Sequence, residues 1–194
     1  MTGVKRVCVY CGSSGRVAEA LRDAATRTGR LLAQSGMELI YGGGHIGLMG
    51  LTADAALAAG GRVTGIIPDF LHGRELAHTQ VTELVVVGSM HERKQRMFER
   101  SDAFVILPGG LGTLDEAFEC MTWKQLRLHD KPIVIVDVEG YWQPLLKLLD
   151  HAIGAGFAPA EVRDALTVVA TPEELIAALK VAPEPHLPPM PERA

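Results

Sequence analysis

At 194 residues the chain has room for one large domain and too little material for two independent cores. Its 47% hydrophobic and 22% charged content exclude a disordered chain. A net charge of −4 gives no general electrostatic hold on nucleic acid, so any phosphate must be bound locally.

The elements follow in order. Lys5 and Arg6 precede only five apolar residues, too few for a secretion signal, and no stretch is long enough to span a membrane. These features predict a cytoplasmic protein without a membrane partner. Short β-branched runs predict strands at 6–10, 37–41, 62–67, 81–87, 103–107, 132–137 and 167–169. Longer patterns between them predict helices at 18–34, 48–59, 90–100, 113–128, 141–155 and 172–181. The last opens on Thr171-Pro172-Glu173-Glu174, an N-cap, a proline and two acids. Strands alternating with helices predict an α/β fold, a parallel sheet of about seven strands with helices on both faces. Residues 1–182 read as a single domain. Five prolines in the last twelve residues make 183–194 a tail that cannot continue a helix.

The three cysteines, Cys8, Cys11 and Cys120, are an odd number in a chain too large to need disulfides, and Cys8-x-x-Cys11 admits a redox pair or half a zinc site. Cys8-x-x-Cys11 lies within an apolar strand, and no second Cys/His pair completes a metal tetrad, so it reads as structural and no metal site is expected.

In open parallel sheets ligands lie beyond the carboxyl ends of the strands. Three strands there run into glycine: Cys11-Gly12-Ser13-Ser14-Gly15, Gly42-Gly43-Gly44-His45-Ile46-Gly47 and Pro108-Gly109-Gly110-Leu111-Gly112-Thr113. Glycine lets an anion approach bare amides, and a helix starting at such a point adds unpaired N–H groups and partial positive charge. Gly12, Ser13, Gly43 and Gly44 are therefore candidate ligand contacts. The second loop matches G-x-G-x-x-G with Asp69 further on, which admits a nicotinamide dinucleotide reading. That loop follows the second strand rather than the first, and no Walker pattern is present.

After the third loop Thr113 is placed to cap or begin a helix, which puts Asp115, Glu116 and Glu119 in its first two turns. Three acids exceed what capping requires, and Glu116 and Glu119 share a face. The basic segment from Met90 to Arg100 also follows a strand end, with Arg93, Met97 and Arg100 on one face. A guanidinium there can bind an anion or orient a carboxylate.

With Arg93-Lys94 upstream, Pro108-Gly109-Gly110-Leu111-Gly112-Thr113-Leu114-Asp115-Glu116 resembles the P-G-G-x-G-T-x-x-E pattern of the Lonely Guy (LOG) family. These are the cytokinin riboside 5′-monophosphate phosphoribohydrolases, long labelled lysine decarboxylase-like. The likeness extends through 11–14, 41–50, 65–68, 74–76, 90–94, 101–104 and 129–132, and covers nearly everything from Val7 to Thr171. It implies a Rossmann-like, doubly wound domain without a cofactor. The implied activity hydrolyses N6-substituted adenosine 5′-monophosphates to free base and ribose 5-phosphate, with AMP itself left open as the substrate. It implies Glu116 and Arg93 as the catalytic pair. Its substrate-binding positions fall on Glu75, Lys94, Gly109, Gly110, Leu111, Gly112, Thr113, Leu114, Asp115 and Thr122, and Met90 opens the motif that carries Arg93. The family is typically a homodimer with sites near the interface. Leu111 stands where plant members carry tyrosine, and Asp115 where they carry glutamate. Three competing readings stay open: a nucleotide sensor without catalysis, a pyridoxal-phosphate decarboxylase and a nicotinamide oxidoreductase.

Overall fold

The computed structural model describes residues 3–72 and 77–182. Glu75 and the 183–194 tail lie outside the described residues. Seven strands form one parallel sheet: β1 (Arg6–Tyr10), β2 (Glu38–Tyr41), β3 (Val63–Pro68), β4 (Glu83–Val87), β5 (Ala103–Ile106), β6 (Ile133–Val136) and β7 (Leu166–Val169). Their order is β4-β3-β2-β1-β5-β6-β7, with Val7 paired to Leu39 on one side and Ala103 on the other. The chain therefore steps outward from β1 to one edge, then returns and builds the other half. Strand order reverses between β1 and β5, and a crevice opens there beyond the strand ends.

Side chains alternate across each strand, so the sheet has two apolar faces. Val7, Val9, Leu39, Val63, Val105 and Val134 pack against α1 (Glu19–Gln34), α2 (Gly47–Ala58) and α8 (Pro172–Val181). Cys8, Tyr10, Ile40, Phe104, Ile106 and Ile133 pack against α4 (Met90–Glu99), α5 (Leu111–Gln125) and α6 (Gln143–Gly154). The fold is thus doubly wound and Rossmann-like. Cys8 and Cys11 fall in opposite layers, both free and buried, which accounts for their not forming a pair.

Three short elements were not expected: α3 (Asp69–Leu71), α7 (Glu161–Asp164) and a 3-10 turn at Val138–Gly140. None is long enough to show a hydrophobic period. A larger correction concerns α5, which starts at Leu111 rather than Thr113. Its N-cap is Gly110 in an extended conformation, so Thr113 is the third helical residue and the first turn carries no acid. Asp115 and Glu116 fall in the second turn and Glu119 in the third. Helix α1 begins at Glu19, one residue from its expected start, so no helix opens directly on Gly12.

Candidate active site

Three backbone hydrogen bonds draw the loops after β1, β2 and β5 together. The Gly12 amide donates to Pro108 O at 3.0 Å, joining the loops of the two switch-point strands. The Leu48 and Met49 amides at the start of α2 both donate to Gly12 O, at 3.0 and 3.4 Å. That second pair corrects the picture of three equivalent cradles: two amides that would serve an anion at α2 are already used inside the protein.

The start of α5 is different. No side chain caps it, and its first helical bond runs from the Leu114 amide to Gly110 O at 3.0 Å. The amides of Leu111, Gly112 and Thr113 precede that bond, which is the arrangement that binds phosphate at a helix start. Gly109 is required by crowding. A Cβ there would lie 2.1 Å from Thr113 Oγ1 and 2.9 Å from the Gly12 amide nitrogen. The Tyr141 hydroxyl donates to Gly109 O at 2.8 Å and fixes that peptide from the far side.

Arg93 comes from the first turn of α4, whose start is closed by a reciprocal cap. Ser89 Oγ accepts from the Glu92 amide, and Glu92 Oε2 accepts from the Gly88 amide. The guanidinium turns inward over the strand ends. Its Nε donates to Ile66 O at 3.1 Å and Nη2 donates to Gly42 O at 3.0 Å, while Nη1 lies 3.4 Å from Glu116 Oε1. Gly42 is glycine for this reason, since a Cβ would sit 1.8 Å from Nη2. Both members of the pair are buried, with side-chain exposures of 10% and 9%.

Burial dominates the electrostatics of Glu116. Loss of water pushes its carboxyl up to about 7, against the opposing pull of the Arg93 charge. Near neutral pH the group therefore exists in both forms, a condition suited to proton transfer.

These residues enclose a cavity of about 400 Å³. Of the residues expected at the site, Gly12, Ser13, Gly44, Arg93, Gly110, Leu111, Gly112, Thr113 and Glu116 line it. Gly43, Gly109 and Met90 stand behind that lining: Gly43 with a φ of +73° that favours glycine, Gly109 against Thr113, and Met90 with Sδ 3.9 Å from Arg93 Nη1. Lys94 turns aside to bind Asp115 at 3.1 Å and Glu119 at 2.7 Å, tying α4 to α5 outside the cavity. Leu114 is part of the apolar packing around that helix. Thr122 is exposed two turns further along α5, away from the cavity.

The sequence reading missed Cys11, Gly42, Ile46, Met49, Ile67 and Leu71 as cavity walls. Their signal was positional: each lies at, or a few residues beyond, the carboxyl end of β1, β2 or β3. Ile46, Met49, Ile67 and Leu71 add apolar surface to a lining that also holds the α5 start and the charged pair.

A family model described as "possible lysine decarboxylase" matches residues 49–179. A probable cytokinin riboside 5′-monophosphate phosphoribohydrolase of Oryza sativa subsp. japonica is 48% identical over 159 residues, covering 82% of this chain and 70% of the relative. A cytokinin riboside 5′-monophosphate phosphoribohydrolase of Arabidopsis thaliana is 44% identical over 176 residues, covering 91% and 82%. Among solved structures, a molybdenum cofactor binding protein from Rippkaea orientalis superposes with a TM-score of 0.69 at 22% identity, over 91% of this chain and 96% of that one. At that identity the likeness concerns the fold alone.

Proposed function

The chain belongs to the LOG family of cytokinin riboside 5′-monophosphate phosphoribohydrolases, and on that premise we propose that it hydrolyses the N-glycosidic bond of N6-substituted adenosine 5′-monophosphates. The products are the free base and ribose 5-phosphate, and Glu116 and Arg93 carry the reaction. The observation behind this reading is the pairing of a buried carboxyl and a buried guanidinium in one cavity with an uncapped helix start.

In this mechanism the 5′-phosphate lies on the amides of Leu111, Gly112 and Thr113, and its binding aligns the sugar. The C1′–N9 bond breaks with its electron pair leaving on the purine, and positive charge builds on the ribose. Ionised Glu116 stabilises that charge and accepts a proton from the water whose oxygen bonds to C1′. The purine takes up one proton, so one water is consumed in all. Arginine hardly deprotonates, so Arg93 acts by charge. It orients Glu116 and offsets the negative charge developing on the leaving base. This reading calls for no cofactor. The cavity lining contains no lysine among the described residues, so a pyridoxal Schiff base has no anchor there.

The apolar surface formed by Ile46, Met49, Ile67 and Leu71 favours a hydrophobic N6 substituent over the bare amino group of AMP. We further take the active form to be a cytoplasmic homodimer of a single 1–182 domain. Phe118 and Leu126 are 37% and 60% exposed on the outer face of α5, with Thr122 between them, as suits burial by a second copy. Three free, buried cysteines suit a reducing compartment. The test is hydrolysis of AMP and of isopentenyladenosine monophosphate side by side, following free base and ribose 5-phosphate. Faster turnover of the isopentenyl nucleotide is expected. Binding of both without release of either base would leave a nucleotide sensor instead.

A further inference from the structure

Outside the cavity, three side chains with metal-binding chemistry converge from separate parts of the chain. His45 lies in the loop after β2, Asp54 in the middle of α2, and His78 beyond β3 on a segment that returns over that loop. One ligand atom from each lies within 4.8 Å of the others. The His78 amide donates to Gly43 O at 2.9 Å, and Gly44 bridges to Ala77, so the backbone itself brings the two histidines together. Their rings meet edge to face at a centroid separation of 4.8 Å.

We propose that His45, Asp54 and His78 form a binding site for a transition-metal dication of the zinc class, with an open position for water. Two imidazoles and a carboxylate are a donor set such ions favour. His78 is 1% exposed and forms the fixed floor, while His45 and Asp54 are exposed and form the entry side. Nε2 of His78 donates to Asp54 Oδ1 at 2.8 Å, and its Nδ1 accepts from the Gln80 amide at 3.3 Å. A metal on Nε2 takes the electron pair there and the ring proton moves to Nδ1. The long Gln80 contact is then given up and no proton is lost from this ring. Metal bonds of about 2.0–2.2 Å space tetrahedral ligands about 3.3 Å apart. His45 therefore closes in, and Asp54 withdraws slightly, by side-chain motion at the surface.

The site is not part of the bond-breaking machinery. Its consequence is mechanical: His45 stands between Gly44 and Ile46, two walls of the cavity, and a metal would tie that loop to the 77–80 segment. The inference is independent of the hydrolase reading.

The test uses tag-free protein stripped with a chelator and titrated with Co²⁺, followed by its visible d–d absorption, and with Zn²⁺ by competition. One ion per chain is expected, with affinity falling at least about tenfold in His45→Ala and in Asp54→Asn. Asn retains an acceptor for His78, so the pair does not leave a buried donor stranded. Saturating Zn²⁺ is also expected to raise the melting midpoint of the wild type by about 5 °C, and that of the two variants much less. Absence of binding, or equal binding in wild type and both variants as from exposed His72, His91 or His151, overturns the proposal.

Discussion

Helix α8 opens with Thr171, whose hydroxyl accepts from the Glu174 amide, while Glu174 returns a carboxylate to the Ala170 amide. Helix α5 opens with Gly110, offers no side chain to its first amides, and has no acid in its first turn. Both helices follow strands and both pack against the sheet, yet one has closed its positive end and the other has left it open to the cavity. A cap satisfies orphan amides within the fold, whereas an uncapped start that faces a cavity leaves them available to a ligand. The difference marks a place where local stability has been given up, and function is concentrated at such places.

The contrast can be attacked from the strongest side first. Glu116→Gln should lower kcat roughly a thousandfold, because it removes a charge needed chiefly in the transition state. Nucleotide affinity, which the proposed mechanism assigns to the α5 amides, should change less than about tenfold. Steady-state kinetics alongside equilibrium binding would separate the two, and an active Glu116→Gln enzyme would end the catalytic assignment.

Next, Gly110→Asp makes α5 resemble α8. A Cβ at Gly110 meets nothing within 4 Å, so the side chain can enter and accept from the same amides. The expected result is a KM about tenfold higher, with melting temperature unchanged or slightly raised. A KM that stays put would mean that the phosphate binds elsewhere.

A third prediction concerns pH. The Glu116 carboxyl is raised from 4.5 to about 7 in the folded protein. Between those values the folded chain holds a proton that the unfolded chain has released, so stability should decline as pH rises through that window and level off above it. Glu116→Gln should flatten that decline in thermal melts. Since the reaction uses the carboxylate, kcat/KM should climb toward a plateau with an apparent pKa near 7. An activity limb near pH 4.5 would show that the carboxyl is solvated during turnover.

The smallest effect belongs to α8. Thr171→Ala should cost about 1 kcal/mol of stability, a few degrees in melting temperature, and leave kcat and KM alone. Altered kinetics in that variant would blur the line between the two helix starts.

Much of this was legible in the sequence. Short β-branched runs located all seven strands, and β1 and α8 agree with their expected limits to the residue. The pairing of Arg93 with Glu116 followed from two strand ends and a family pattern. What escaped was set by tertiary contact. The start of α5 was misplaced because a threonine before acids looks like a cap, whereas the extended Gly110 backbone holds that position. The apolar cavity wall escaped because Ile46, Met49, Ile67 and Leu71 look like ordinary core residues until the strand ends are brought together. The closure of α2 onto Gly12 O could not be read at all, since it depends on how two loops meet.

The seat of Arg93 has a wider consequence. Besides Glu116, its cation is fastened to the main-chain carbonyls of Gly42 and Ile66, which no substitution removes. Neighbouring side chains can therefore drift, and the pocket can be reshaped for other bases, while the positive charge stays where the sheet puts it. Position 42 is denied that latitude, because a side chain there would evict the guanidinium.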